Sequence, residues 1–212
     1  MDKKKLLEGI KEAKKSKPRK FTQTVELIVK IKGYDPKKEG DINLLIEVPK
    51  IHKPAKVCAI IGPELVDKSK KVSDKIITDK ELEKIKTEDA RKLAEEYDYF
   101  IAQAELMPKL AEKMGRVLGP AGKMPNPKRG QIVTPKSNIE NIVNKLKNSV
   151  NFSSKKQPAL KGIIGNEKMS DDELLQNIEV ILDNIKKSIP SSQGAIDTII
   201  IKTTMGKPIK IR

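Results

Sequence analysis

The 212-residue chain holds one cysteine, one histidine and no tryptophan, and its only aromatics are three tyrosines and three phenylalanines. A single thiol, Cys58, excludes an intramolecular disulfide framework and fits a reducing cytoplasm. One histidine, His52, and one cysteine leave little for a zinc site or a Cys–His nucleophile. No apolar run approaches the ~18 residues of a membrane span. The N-terminal stretch is basic but lacks the apolar core of a secretory signal. Acids are also in deficit: 44 Lys and Arg stand against 29 Asp and Glu, for a formal charge of +15 and a pI near 9.7. A solubilising Lys/Glu surface accounts for many charges but not for an excess of one sign, so a polyanion, nucleic acid before membrane, is the expected partner.

What is present is unevenly placed. Residues 1–59 carry a net +8 and 150–212 a net +3, against +4 for 60–149. If both ends fold together, their domain is the basic one. The hydrophobic pattern agrees with that division. Leu6, Leu7, Ile10 and Ala13 follow helical spacing. Residues 22–32 alternate, with Val25, Leu27, Val29 and Ile31 on one face and Thr24, Glu26 and Lys30 on the other, as in a half-buried strand. Residues 42–48 repeat that alternation. Ser170 and Glu173 form a capping box that opens a helix through about 188, and 195–203 with 207–211 read as a hairpin turning at Met205–Gly206. One-faced strands with a few helices describe an α+β layer.

The middle reads differently. The short apolar run 56–61 suits a strand buried on both faces, with further strands at 75–78, 98–102 and 131–134. Helices are expected at 80–96, around 106–114, and from 137, opened by a second capping box at Ser137 and Glu140. Strand and helix alternate as in a three-layer, largely parallel α/β domain. The expected organisation is a discontinuous α+β sandwich domain, 1–58 with 150–212, and an inserted Rossmann-like α/β domain, 59–149. The crossings at 49–55, with Pro49 and Pro54, and 149–156 invite hinge motion. Cys58, inside an apolar strand, reads as an inert core thiol, and His52, in a linker without a second ligand, as an exposed loop imidazole.

The stretch 115–130 contains four glycines, three prolines, Arg116, Lys123, Lys128 and Arg129. A nucleotide-binding P-loop would need Gly at 117 and Ser or Thr at 124, where Val117 and Met124 stand. A G-x-G-x-x-G motif is absent as well. What remains is a basic loop suited to a phosphate backbone, or an ordinary helix-to-strand connection.

The run Leu110–Lys128 (LAEKMGRVLGPAGKMPNPK) resembles the signature of the large-subunit ribosomal protein L-one family. Lys20–Glu26 (KFTQTVE) and Thr203–Gly206 (TTMG) agree with it, so the resemblance, of archaeal type, covers essentially the whole chain. It implies a ribosomal, cytoplasmic, non-enzymatic protein without cofactor or metal, monomeric when free. Its first domain would bind large-subunit rRNA at the base of a mobile stalk that helps deacylated tRNA leave the exit site. Many such proteins also bind their own mRNA and repress its translation. Carried over by position, the RNA-binding set is Lys20, Phe21, Thr24, Glu26, Thr198, Thr204, Met205 and Gly206. A weaker set is Lys156, Gln157 and Lys161, with Gly119, Gly122 and Lys123 as a second contact from the inserted domain. Read without the resemblance, Phe21 would be core, since lone aromatics are usually buried.

Overall fold

The computed structural model describes residues 3–17, 19–135, 137–155, 157–188 and 196–211. Its elements run α1 (Lys3–Lys14), β1 (Thr24–Ile31), α2 (Pro36–Glu39), β2 (Asn43–Glu47), β3 (Val57–Ile60), α3 (Val66–Lys70) and β4 (Lys75–Ile77). Then come α4 (Asp79–Lys84), α5 (Thr87–Glu96), β5 (Tyr99–Gln103), α6 (Met107–Ala121), β6 (Ile132–Val133) and α7 (Ile139–Lys147). The chain closes with β7 (Ser149–Ser153), β8 (Ala159–Asn166), α8 (Asp171–Ser188), β9 (Ile196–Thr203) and β10 (Ile209–Lys210). It divides into two compact units, Met1–Lys53 with Ser149–Arg212, and Pro54–Asn148. The border expected after residue 58 falls instead between Lys53 and Pro54. Strand β3 pairs on both sides with strands of the second unit, so a cut at Cys58 would split a strand.

The first unit is a six-stranded antiparallel sheet in the order β10-β9-β1-β8-β7-β2. Alternation decides its two faces. Val25, Leu27, Val29 and Ile31 of β1 lie on the core side with Ile199, Ile201, Leu160 and Phe152, beneath Leu6 and Ile10 of α1 and Ile178, Ile181 and Ile185 of α8. Helix α8 starts as its sequence requires: the Ser170 N–H donates to the Glu173 carboxylate at 3.0 Å, and the Glu173 N–H to the Ser170 hydroxyl at 3.2 Å. The Ser170 N–H, and then its hydroxyl, bond the charged form and hold the Glu173 carboxyl below the usual carboxylate range. Asn177, on the buried side of α8, accepts from the Lys50 N–H at 3.1 Å and donates to the Lys50 and Ile164 carbonyls. It thereby fixes the chain just before it leaves the unit. His52, two residues on, is half-buried rather than exposed, and burial with the neighbouring Lys53 charge lowers its pKa.

The second unit is a parallel sheet in the order β4-β3-β5-β6. Strands β3 and β5 are buried throughout, as a parallel sheet with helices on both faces demands. Cys58, Ile60, Phe100 and Ala102 pack with α4, α5 and α6. The alternate residues Val57, Ala59, Tyr99 and Ile101 are equally buried, and α7 packs against β3. Burial pushes the Cys58 thiol up to about 12, so the core-thiol expectation agrees with the structure. Three local expectations change. The helix expected over 80–96 is two helices, broken where Ile85 and Lys86 adopt extended backbone. The stretch expected as loop from 115 remains helical to Ala121 and ends in a Schellman motif. There, Gly122 takes φ 68° and the Lys123 N–H bonds to the Leu118 carbonyl. The cap of α7 is Asn138 rather than Ser137: its side chain accepts from the Asn141 N–H, while Ser137 bonds Thr134 in the preceding turn.

Candidate nucleic-acid interface

Within the first unit both long helices lie on the core side, and among the described residues of this unit no helix packs on the opposite side of the sheet. Register places its residues in rows across β9, β1 and β8: Lys202, Glu26 and Ile163; Ile200, Ile28 and Lys161; Thr198, Lys30 and Ala159. Above the first row stand Thr24 and Thr204, where the Thr204 N–H donates to the Thr24 carbonyl at 3.0 Å. Six residue steps lead from Thr198 to Thr204, just past the end of β9, so the face is about 20 Å long.

Thr24 and Thr204 form a closed hydroxyl pair. Their oxygens are 2.8 Å apart, the Thr24 N–H donates to Thr204 Oγ1 at 3.2 Å, and Thr204 Oγ1 donates to the Thr24 carbonyl at 3.3 Å. A hydroxyl has one proton. The assignment that satisfies every contact has Thr204 donating to the carbonyl and Thr24 donating to Thr204. Thr24 Oγ1 then offers only lone pairs to a partner, and Thr204 positions it. Glu26, beside Lys202 at 3.9 Å, adds a carboxylate two residues along the same face. This upper part of the face is a stripe of acceptors.

The turn above it is held from beneath. Gln23, 1% exposed, accepts from the Met205 N–H at 3.2 Å and donates to Ser16 Oγ and a Glu167 oxygen, each at 3.3 Å. Thr203 points inward and donates to Ser16 at 3.0 Å. A Cβ on Gly206 would overlap the Thr203 hydroxyl, so the turn closes only on glycine. Clipped in this way, the turn leaves Met205 59% exposed. Nothing in the sequence pattern marks Ser16 or Glu167, and little marks Gln23. The one available signal is a polar Gln23 where the alternation of residues 22–32 calls for an apolar one.

The expected site residues divide as follows. Thr24, Glu26, Thr198, Thr204, Met205 and Gly206 gather on the bare face and its turn. Thr198 donates to the neighbouring Asp197 carboxylate at 3.2 Å. Lys20 is exposed on the arm leading into β1, as is Phe21 at 53%; Phe21 is not core, contrary to its reading without the resemblance. Lys161 lies on the face and donates to Gln157 in the turn before β8. Lys156 lies outside the described residues. The second-unit set separates internally: Gly119 and Gly122 are exposed at the end of α6. Lys123 instead turns inward and donates to the Ala94 and Tyr97 carbonyls at 2.7 and 2.9 Å, capping α5.

In an open α/β sheet, ligands enter at the strand C-termini where the strand order reverses. Here that crevice, between β3 and β5, is occupied by Gln103. Its carboxamide oxygen accepts from the Gly62 N–H at 2.8 Å, and its nitrogen donates to Glu105. Among the described residues, no group of three or more His, Cys, Asp or Glu is arranged to hold a metal ion.

A one-sided antiparallel sheet and an inserted parallel-sheet unit, whose strand-end crevice Gln103 takes up, define a two-unit protein of mixed α/β architecture. The model of the ribosomal protein L1p/L10e family matches residues 13–207. The large ribosomal subunit protein uL1 of Pyrococcus abyssi is 38% identical over 218 aligned positions, covering 100% of this chain and 97% of the relative. Its counterpart in Thermococcus kodakarensis is 39% identical, covering 99% and 98%. That of Methanocaldococcus jannaschii is 35% identical, covering 100% and 97%. The chain belongs to the ribosomal protein L1p/L10e family. As a member it is a structural, non-enzymatic constituent of the large ribosomal subunit, ribosome-associated in the cytoplasm.

Proposed function

We propose that the first unit grips large-subunit rRNA with its bare sheet face and the turn at Met205–Gly206. The observation that carries this reading is the acceptor stripe of Thr24 and Glu26, set on the uncovered side of the sheet beneath a rigidly clipped turn. RNA supplies the matching donors, 2′-hydroxyls and base amino groups, where a strand is splayed or folded. Exposed Phe21 and Met205 add flat or polarisable apolar surface at the same end. Lysines around the face, Lys20 among them, supply attraction and on-rate, whereas the acceptor stripe supplies discrimination.

Thr24→Val tests the reading in the full-length protein. It removes the acceptor while keeping the β-branched shape, and the specific rRNA fragment is expected to lose about 1–3 kcal/mol of binding, with an unchanged salt slope. Thr204→Val, which removes only the positioning group, costs less. If Thr24→Val binds a stalk-base rRNA fragment and a scrambled control as wild type does, the face is not the RNA site. The finer roles use the same surface: an mRNA carrying a similar fold competes with rRNA for it, and release of exit-site tRNA follows from rRNA held at the stalk. Competition binding with the chain's own mRNA leader, and tRNA release from ribosomes carrying Thr24→Val, test each in turn.

A further inference from the structure

Beside the turn, outside the acceptor face, lies a groove of about 360 Å³. Lys15 at the end of α1, Lys17 and Arg19 on the following arm, and Lys207 after the turn line it. All four are exposed, and among the described residues none of their head groups meets an acid or a carbonyl. Their neighbour Lys14 behaves otherwise, with its amine held by Asp171 and the Met169 carbonyl. One acid, Glu12, shares the groove, so its lining carries a net +3. Ala13 and Ile209 give it apolar flanks, and Met205 and Gly206 form the wall it shares with the turn.

The four cations are unneutralised, which raises the free energy of the unbound protein by mutual repulsion and favours a polyanion. Because every head group is exposed, none is fixed to cradle a single small anion. Mobile cations along an open groove suit an extended backbone of successive phosphates. The shared wall then sets which backbone. A strand lying on the acceptor stripe and passing over Met205 enters this groove directly. We infer that the groove binds the sugar–phosphate backbone of the RNA segment flanking the specifically recognised site. This inference rests on the proposed RNA reading of the sheet face, which it extends from one recognised element to a continuous path.

The test uses the full-length chain with Lys15→Gln, Lys17→Gln, Arg19→Gln and Lys207→Gln combined; all four are surface positions, and circular dichroism checks the fold. Two probes are titrated across a salt series: the stalk-base rRNA fragment with single-stranded flanks, and the same fragment trimmed of them. On flanked RNA the variant is expected to lose about two from the slope of log K against log salt, and about tenfold in affinity near 0.15 M salt. On trimmed RNA it should match wild type. Thr24→Val, run in parallel, weakens both probes. Lys207→Cys carrying a tethered hydroxyl-radical source adds a direct reading, since the native Cys58 is buried. Strand cleavage is expected in one flank only. Wild-type affinity and slope of the quadruple variant on flanked RNA overturn the groove while leaving the face intact, provided Thr24→Val still fails. If Thr24→Val is also neutral, the RNA reading of the face falls with it. Loss of binding to anionic vesicles, with RNA binding unchanged, overturns the inference and assigns the groove to a lipid surface.

Discussion

Both units pair many of their lysines, but they differ in what their sheets leave uncovered and in which cations stand beside it. In the second, amines serve the fold: Lys123 caps α5 through two carbonyls, Lys147 reaches the Val72 carbonyl and Asp74, and Lys109 bridges Asp79 and Glu83. Its parallel sheet is covered on both faces, and Gln103 fills the one crevice where such sheets take ligands. In the first unit the sheet is antiparallel and one-sided, and Lys15, Lys17, Arg19 and Lys207 stand unpaired beside a bare face. Charge count alone does not mark a binding surface. What marks it is whether the cations are already engaged and whether a polar face has been left uncovered.

The sharpest way to break this comparison is to damage each core separately. Phe152 in the first unit and Phe100 in the second are both 0% exposed, and either change to alanine costs about 3–5 kcal/mol. Phe152→Ala is expected to lower rRNA affinity with stability. Phe100→Ala is expected to loosen only the second unit, read by site-resolved hydrogen exchange, and to leave specific rRNA affinity near wild type. Equal loss of affinity in both would place recognition in the second unit as well. A smaller effect is expected from Asn177→Leu, which leaves the Lys50 N–H and carbonyl without their buried partner, at about 1–3 kcal/mol. Denaturant titration and exchange at Lys50 measure it.

Lys123→Met comes next. If Lys123 is a cap rather than an RNA contact, the variant destabilises the second unit by about 1–2 kcal/mol and leaves the salt slope of rRNA binding unchanged. A lower slope at unchanged stability would reverse that assignment. The smallest effect is at Glu173. Its carboxyl titrates below the ordinary range because the Ser170 N–H and hydroxyl bond the charged form. Its contribution is therefore present above the unfolded-state pKa and is lost as pH falls through the folded one. Protection factors in the first turn of α8, taken relative to the intrinsic exchange rate at each pH, should fall on acidification, and Glu173→Gln should remove that pH dependence.

Much of this architecture was legible in one dimension. Alternation over 22–32 and 42–48 announced a one-faced sheet, the continuous apolar run at 56–61 a doubly covered strand, and Ser170 with Glu173 the start of α8. These signals are local: side-chain period and capping act within a few residues. Local errors arose where two such signals compete. Glycines and prolines at 115–130 read as loop, yet Gly115 and Gly119 sit within α6 and only Gly122 ends it. Ser137 and Asn138 are both good caps, and the structure uses the second.

By itself the sequence determined the charge, the element types, the division into an α+β and an α/β part, and the family. Tertiary structure alone decided which polar groups are engaged with one another and which stay free. The clip of Gln23 with Met205 and Glu167 joins residues 182 and 144 positions apart, and the hydroxyl pair of Thr24 and Thr204 spans 180. The same holds for the difference between Lys123, turned inward, and Lys207, left free. A hydrogen bond between such distant residues depends on sheet order and register, which no local pattern carries, and it is that bond which leaves Thr24 an acceptor and the turn rigid.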